Sequence, residues 1–332
     1  MATGFELRHE NDVLGLGWIH RFGWLRSAEL GRLMWPNDKH ARTRADRVIR
    51  GWLDRKLVIE RQLPDGARRA VVLSEAGARF LQDLGSGGAR SGKDWGETDG
   101  ERWHPNLAWQ HDLVATGVLV YLFEDGYDIV PEKTLRRDNP GLVKIPDGLA
   151  WNSEQVIWLE VEKARKTGKA MHELAAAICV VAEGTCQVLS GQRPTIAMIA
   201  FIQGGKDERG LHINHRSRVS MAIQQTAKKD VALLWAQRQL AGCGVANVTI
   251  QSAQIPADRA TRILQKLDAG GWIEDADGCL VAHYGGVTAT IWHDEDMGWS
   301  YQLEGACVPA AAFQADNKTE AKRGCANLLA KA

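Results

Sequence analysis

Three acidic residues in a short segment could do chemistry together. Asp147 follows Pro146, and Glu160-Val161-Glu162 comes thirteen residues later, trailed by Lys163. Both stretches read as β-strands, Leu142–Trp151 and Gln155–Glu162, joined around Asn152-Ser153. Side chains two apart on a strand share a face, so Glu160 and Glu162 are expected to point together. On neighbouring strands, they and Asp147 are expected to converge. Three carboxylates make a hard-oxygen site suited to Mg²⁺ or Mn²⁺. Such an ion activates water and stabilises charge on a phosphate.

The elements that must position these acids follow from hydrophobic period. His104–Glu124 reads as a long helix and Asp128–Pro131 as a short strand. After the acid-bearing pair come an Ala-rich helix over 167–189, an apolar strand over 194–202, a largely helical 217–240 and a strand over 245–250. A helix, a three-stranded meander and a crossover helix to a further strand give a mixed sheet with helices on both sides. The fold class is therefore α+β or α/β. Residues 101–255 form the acid-bearing domain. Residues 256–332 form a small βββα module whose tryptophans are expected to serve its core.

Ahead of the acids lies a different pattern. Residues 1–84 read as three helices, a hairpin around Pro64-Asp65-Gly66 and a closing helix from Ser74. The helix over roughly 39–55 places Ala41, Ala45, Val48, Ile49, Trp52 and Leu53 at helical spacing. Its other face carries Lys39, Arg42, Arg44, Arg47 and Arg50. Between Lys39 and Arg69 ten basic residues face four acidic ones, although the whole chain is neutral at 41 of each sign. This order is that of a winged helix-turn-helix, with the basic helix as recognition helix and Arg68 and Arg69 after the wing turn. Duplex DNA is the expected partner. Arg42–Asp46 and Arg50–Asp54 pairs at i,i+4 would neutralise part of the basic face. Residues 85–100 are glycine-rich and polar and read as a flexible linker.

The order of strand, Pro146-Asp147, strand bearing Glu160-Val161-Glu162, then helix resembles the PD-(D/E)xK nuclease superfamily. With a winged helix in front, it is similar to the replication-relaxation family and so to MOBC-type relaxases. The resemblance covers roughly residues 11–255. It implies a restriction-endonuclease-like mixed sheet, with Asp147, Glu160 and Glu162 as metal ligands and catalytic acids. Glu162 stands where many members have lysine, and Lys163 comes one position late. His111, early in the first core helix, stands where members place a helix acid or histidine, with Asp112 beside it. Lys166 and Lys169 are candidate phosphate contacts. The implied activity is Mg²⁺- or Mn²⁺-dependent cleavage or nicking of plasmid or integrative-element DNA in mobilization, conjugation or replication. A single strand is a possible substrate at the acid site. A double-strand cutter would be a homodimer, whereas a nickase can act as a monomer. The alternative is a non-catalytic DNA-binding replication or transcription regulator that retains a degenerate nuclease core.

Other functions find little support. Six dispersed cysteines form no C-x-x-C pair. The first residues lack a basic-then-apolar signal, and no apolar run reaches membrane-spanning length, so a cytoplasmic protein without membrane contact is expected. Gly204-Gly205-Lys206 lacks the glycine spacing of a P-loop.

Overall fold

In a computed structural model, residues 3–63, 69–93, 96–99, 102–104, 109–141, 144–162, 168–202, 215–238, 248–269, 271–295, 298–305 and 312–331 are described. They form a mixed α+β structure in two compact units. One comprises Met1–Arg218 with Ala232–Gln254, the other Val219–Val231 with Ile255–Ala332.

The larger unit begins with α1 (Gly4–Phe22), β1 (Leu25–Arg26), α2 (Ser27–Met34), α3 (Ala41–Asp54), β2 (Val58–Gln62), β3 (Arg69–Leu73) and α4 (Glu75–Asp83). A Thr3–Glu6 capping box starts α1. On α3, Ala41, Ala45, Ile49 and Trp52 are buried while Arg42, Arg44, Arg47 and Arg50 face solvent. The Trp52 indole donates to Asp12 Oδ1 at 2.6 Å, and Arg55 closes on the same carboxylate. A Cβ at Gly31 would lie 2.5 Å from the Ala41 carbonyl oxygen, so glycine is what lets α2 approach the start of α3. The three strands form an antiparallel sheet in the order β1-β3-β2.

Next along the chain come β4 (Glu97–Asp99), β5 (Arg102–His104), α5 (Trp109–Glu124), β6 (Asp128–Pro131), α6 (Glu132–Asp138), β7 (Gly148–Trp151), β8 (Val156–Val161), α7 (Gly168–Ala182), β9 (Ile196–Ile202), α8 (His215–Thr226, from Val219 on part of the smaller unit), β10 (Val231–Arg238) and β11 (Val248–Ile255). The sheet runs β11-β10-β9-β8-β7-β6. β6, β7 and β8 are an antiparallel meander, and β8, β9 and β10 are parallel. This matches the expected meander and crossover.

Three expectations are corrected. Residues 231–238 form a strand, not the end of a long helix. Val231 to Ala236 is an unbroken apolar run, and burial in a parallel sheet decides such runs against helix. His104 belongs to the short β4–β5 hairpin, and the core helix starts at Trp109. The glycine-rich 85–100 segment does not divide compact units, because parts of it are docked. Ala89 is fully buried, Gln82 donates to its carbonyl at 2.7 Å, and the Gly92 N–H donates to Leu73 O at 2.8 Å. The wing turn 64–68 lies outside the described residues.

The smaller unit holds α9 (Arg259–Asp268), β12 (Ile273–Glu274), β13 (Leu280–Tyr284), β14 (Val287–Asp294), β15 (Gly298–Glu304), β16 (Ala312–Ala315) and α10 (Lys318–Lys331). Its strands form one antiparallel sheet in sequence order. Ile263, Leu267, Ile291, Leu303 and Leu329 make its core, with Trp272 and Trp299 packed against it, as expected for its tryptophans. From Pro256 to Ala332 eleven acids oppose seven Lys and Arg, so this module lacks the positive excess of residues 39–69.

Candidate acid site on neighbouring strands

The acids are set by the β7–β8 pairing. Gly148 pairs with Leu159, and the Asp147 N–H donates to Leu159 O at 2.9 Å. Asp147 therefore stands on the bend just before β7, not within the strand. Its Oδ2 accepts the Val161 N–H at 2.7 Å and meets His111 Nε2 at 3.1 Å. His111 Nδ1 lies 3.4 Å from Asp112 Oδ1. One imidazole thus joins two carboxylates.

Glu160 and Glu162 are each 1% exposed, so neither lines a solvent face. Along β8, Ile157, Leu159 and Val161 enter the core that includes α5 residues Val114, Val118 and Leu119. Trp158 and Glu160 alternate to the opposite face. There Glu160 Oε2 accepts from Lys144 Nζ at 2.7 Å and Oε1 from the Trp158 indole at 2.7 Å. Glu162 follows the end of β8, where its N–H donates to Ala200 O on β9 at 2.7 Å.

Among the described residues, no group of three His, Cys, Asp or Glu side chains could hold a metal ion. Asp147 turns to α5 and His111, whereas Glu160 turns to Lys144 and Trp158. Lys163 and Lys166 lie outside the described residues. Lys169, at the start of α7, is exposed and 3.7 Å from Glu173.

The electrostatics follow the geometry. Burial works against charge on His111, but the hydrogen bonds and charges of Asp112 and Asp147 outweigh it and push the imidazole up to about 10. His111 is therefore a cation at neutral pH. Burial and the negative charge of Asp147 push Glu160 up, opposed by Lys144 and the indole N–H. Glu132 is likewise raised by burial and by Asp147. A cavity of about 270 Å³ adjoins Asp147, lined in part by Trp24, Asp112, Leu119, Glu132 and Arg136.

A folded pKa raised above the unfolded value makes His111 a stabilising cation below its ordinary 6.5. That contribution is lost as pH rises towards about 10. We expect stability to fall across this window in the parent and to fall less in His111→Gln. Denaturation midpoints between those pH values check it. Equal slopes in both proteins would show that His111 is not so held.

Sequence reasoning missed Lys144 and Glu132. Lys144 had a legible signal: it precedes Pro146-Asp147 by two and three residues in the same run. Glu132 had none, since the short α6 was not anticipated.

The basic residues of the first half are presented together. Arg42, Arg44, Arg47 and Arg50 are exposed along α3, and Lys39 lies in the turn before it. Arg42 reaches Asp46 at 4.0 Å, as expected, and Arg44 reaches Asp38 at 3.2 Å. Arg50 Nε donates to the Asp46 carbonyl at 3.2 Å. Arg69 pairs with Glu60 at 2.8 Å. Arg68 lies outside the described residues. No helix among the described residues is long and apolar enough to cross a membrane.

No protein-family model matches this sequence, and no curated protein matches it.

Proposed function

We propose that this protein is a DNA-binding protein that cleaves or nicks DNA with a divalent metal ion. The observation that carries the reading is the nearness of Asp147, on the bend before β7, to Glu160 on β8, close enough for the charge of Asp147 to raise Glu160; His111 backs the one and Lys144 the other. Burial and the negative charge of Asp147 raise Glu160, and a hard divalent cation would relieve that repulsion. The fit is to this pair, with Glu162 two residues further on, just past the end of β8. Mg²⁺ or Mn²⁺ held by Asp147 and Glu160 would supply an activated water and charge stabilisation at phosphorus. The protein's own groups then have definite tasks. His111 and the Val161 N–H orient Asp147. Lys144 donates to Glu160 and provides the cation that Glu162 does not, next to where a scissile phosphate would lie.

Residues 1–84 supply the DNA-binding half. Two helices, a basic third helix, a hairpin and the β1-β3-β2 sheet order support a winged helix with α3 as its recognition helix. We expect Arg44→Ala/Arg47→Ala to weaken duplex binding and to flatten its salt dependence by about two in log–log slope. Fluorescence anisotropy over a salt series measures this. An unchanged slope would remove α3 from the DNA interface.

The resemblance to relaxases makes mobile-element DNA the substrate to try first. The direct test is incubation of supercoiled plasmid carrying the neighbouring genomic region with Mg²⁺ or Mn²⁺, scoring nicked against linear product. A second reading, a DNA-binding regulator with a degenerate nuclease core, is favoured by one observation: Lys144 and the Trp158 indole already satisfy both oxygens of Glu160. It predicts salt-sensitive binding with no cleavage under either ion.

A further inference from the structure

A second cavity lies away from Asp147. It is a trough of about 610 Å³ on the other side of β8, between α7 and the loops before β7 and after α7. Its volume suits a small organic ligand rather than a lone ion. Its lining has a distinct chemistry at each part. The ring of Trp158, 5% exposed, contributes an aromatic surface. Ala177 and Val180 of α7 give a low apolar wall, because alanine leaves the helix backbone close. Thr185 and Gln187 bring uncharged donors and acceptors. Lys144 brings a cation whose side chain is 43% exposed. Glu173 also lines the trough, but its carboxylate lies 3.7 Å from the Lys169 ammonium.

A flat apolar wall, amide and hydroxyl groups and one accessible ammonium together describe a ligand with a flat polar-edged ring and an anionic group. We propose that this trough binds a mononucleotide unit, its base between Trp158 and α7, its edge towards Thr185 and Gln187, and its phosphate on Lys144. Lys144 then has two claimants, the ligand phosphate and Glu160 Oε2 at 2.7 Å. The Trp158 indole N–H, bonded to Glu160 Oε1, ties the aromatic surface to the same carboxylate. Occupancy of the trough would therefore be felt at Glu160. The binding itself does not depend on whether the protein cleaves DNA.

The unit could be a free nucleotide or the 5′-phosphorylated end of a strand, which present the same chemistry. Isothermal titration of the intact protein separates them, using dAMP and dTMP, the matching nucleosides, inorganic phosphate and a 5′-phosphorylated trinucleotide. We expect mononucleotides to bind and nucleosides to bind about tenfold more weakly, the share of a charge-assisted contact. Inorganic phosphate alone should give no heat. Preference for the trinucleotide marks a strand end, and preference for the mononucleotide a free ligand; either supports the site. Lys144→Met should erase the difference between nucleotide and nucleoside. Val180→Trp, at a position 40% exposed and so tolerant of bulk, should fill the trough and abolish binding of both. No heat from any nucleotide at millimolar concentration overturns the proposal. So does nucleotide binding that both variants retain unchanged.

Discussion

Asp147→Asn and Glu160→Gln are each expected to reduce divalent-ion-dependent DNA cleavage on the order of a thousandfold, the several kcal/mol that metal-ion catalysis supplies. DNA binding should be unchanged, because α3 lies on other elements. The amide variants are preferred to alanine for a structural reason. Asp147 accepts the Val161 N–H at 2.7 Å, and Asn keeps an oxygen there. Glu160 accepts the Trp158 indole, and Gln preserves that bond while removing the charge that holds Lys144. Loss of cleavage with intact folding and binding would assign both carboxylates to the chemistry. Parent-like cleavage by both variants would sink the site assignment. Glu162→Gln then asks whether the third acid matters, since the described side chains form no three-ligand group with it.

Glu29→Ala is expected to destabilise the larger unit by about 3–5 kcal/mol, the cost of stripping one partner from a buried ion cluster. Glu29 lies between two guanidiniums. Arg26 Nε donates to it at 3.0 Å, and Arg238 Nη2 reaches Oε1 at 3.0 Å. All three side chains are buried, Arg238 at 2% exposure. Burial opposes the charge on Glu29, yet Arg26 and Arg238 hold its carboxyl down at about 2. A depressed folded pKa gives stability that is present above the ordinary carboxylate value. It is lost as pH falls from about 4.5 towards 2. Chemical denaturation of parent and Glu29→Ala across that range tests the sign: the parent should lose more stability on acidification than the variant does. The cluster joins α2 of the first helical group to β10 of the six-stranded sheet, so it couples the basic helix group to the acid-bearing core. Gly117 makes room for it. A Cβ there would fall 2.0 Å from Arg238 Nη1, so Gly117→Ala should destabilise by the same route. A Glu29→Ala protein as stable as the parent would show that the cluster relaxes or hydrates at no cost.

Local pattern accounts for the parts of this protein that were legible in the sequence. Ala41, Ala45, Ile49 and Trp52 at helical spacing fixed the buried stripe of α3 and hence the exposed arginines opposite it. Period-two and short apolar runs with turn residues between them revealed the β6–β7–β8 meander and the β13–β14–β15 strands. Pro146-Asp147 and Glu160-Val161-Glu162 were visible because chemistry at those spacings is local. What failed was whatever depends on distant partners. Val231–Arg238 has no decisive period, and only its place beside β9 makes it a strand. The glycine-rich 85–100 segment looked free because nothing in it says that Ala89 will bury. The partners of each acid were set by the fold alone. Alternation along β8 sends Glu160 away from α5, and the bend before β7 turns Asp147 towards His111. Residue type told which groups could hold charge; the pairing of strands decided which charges meet.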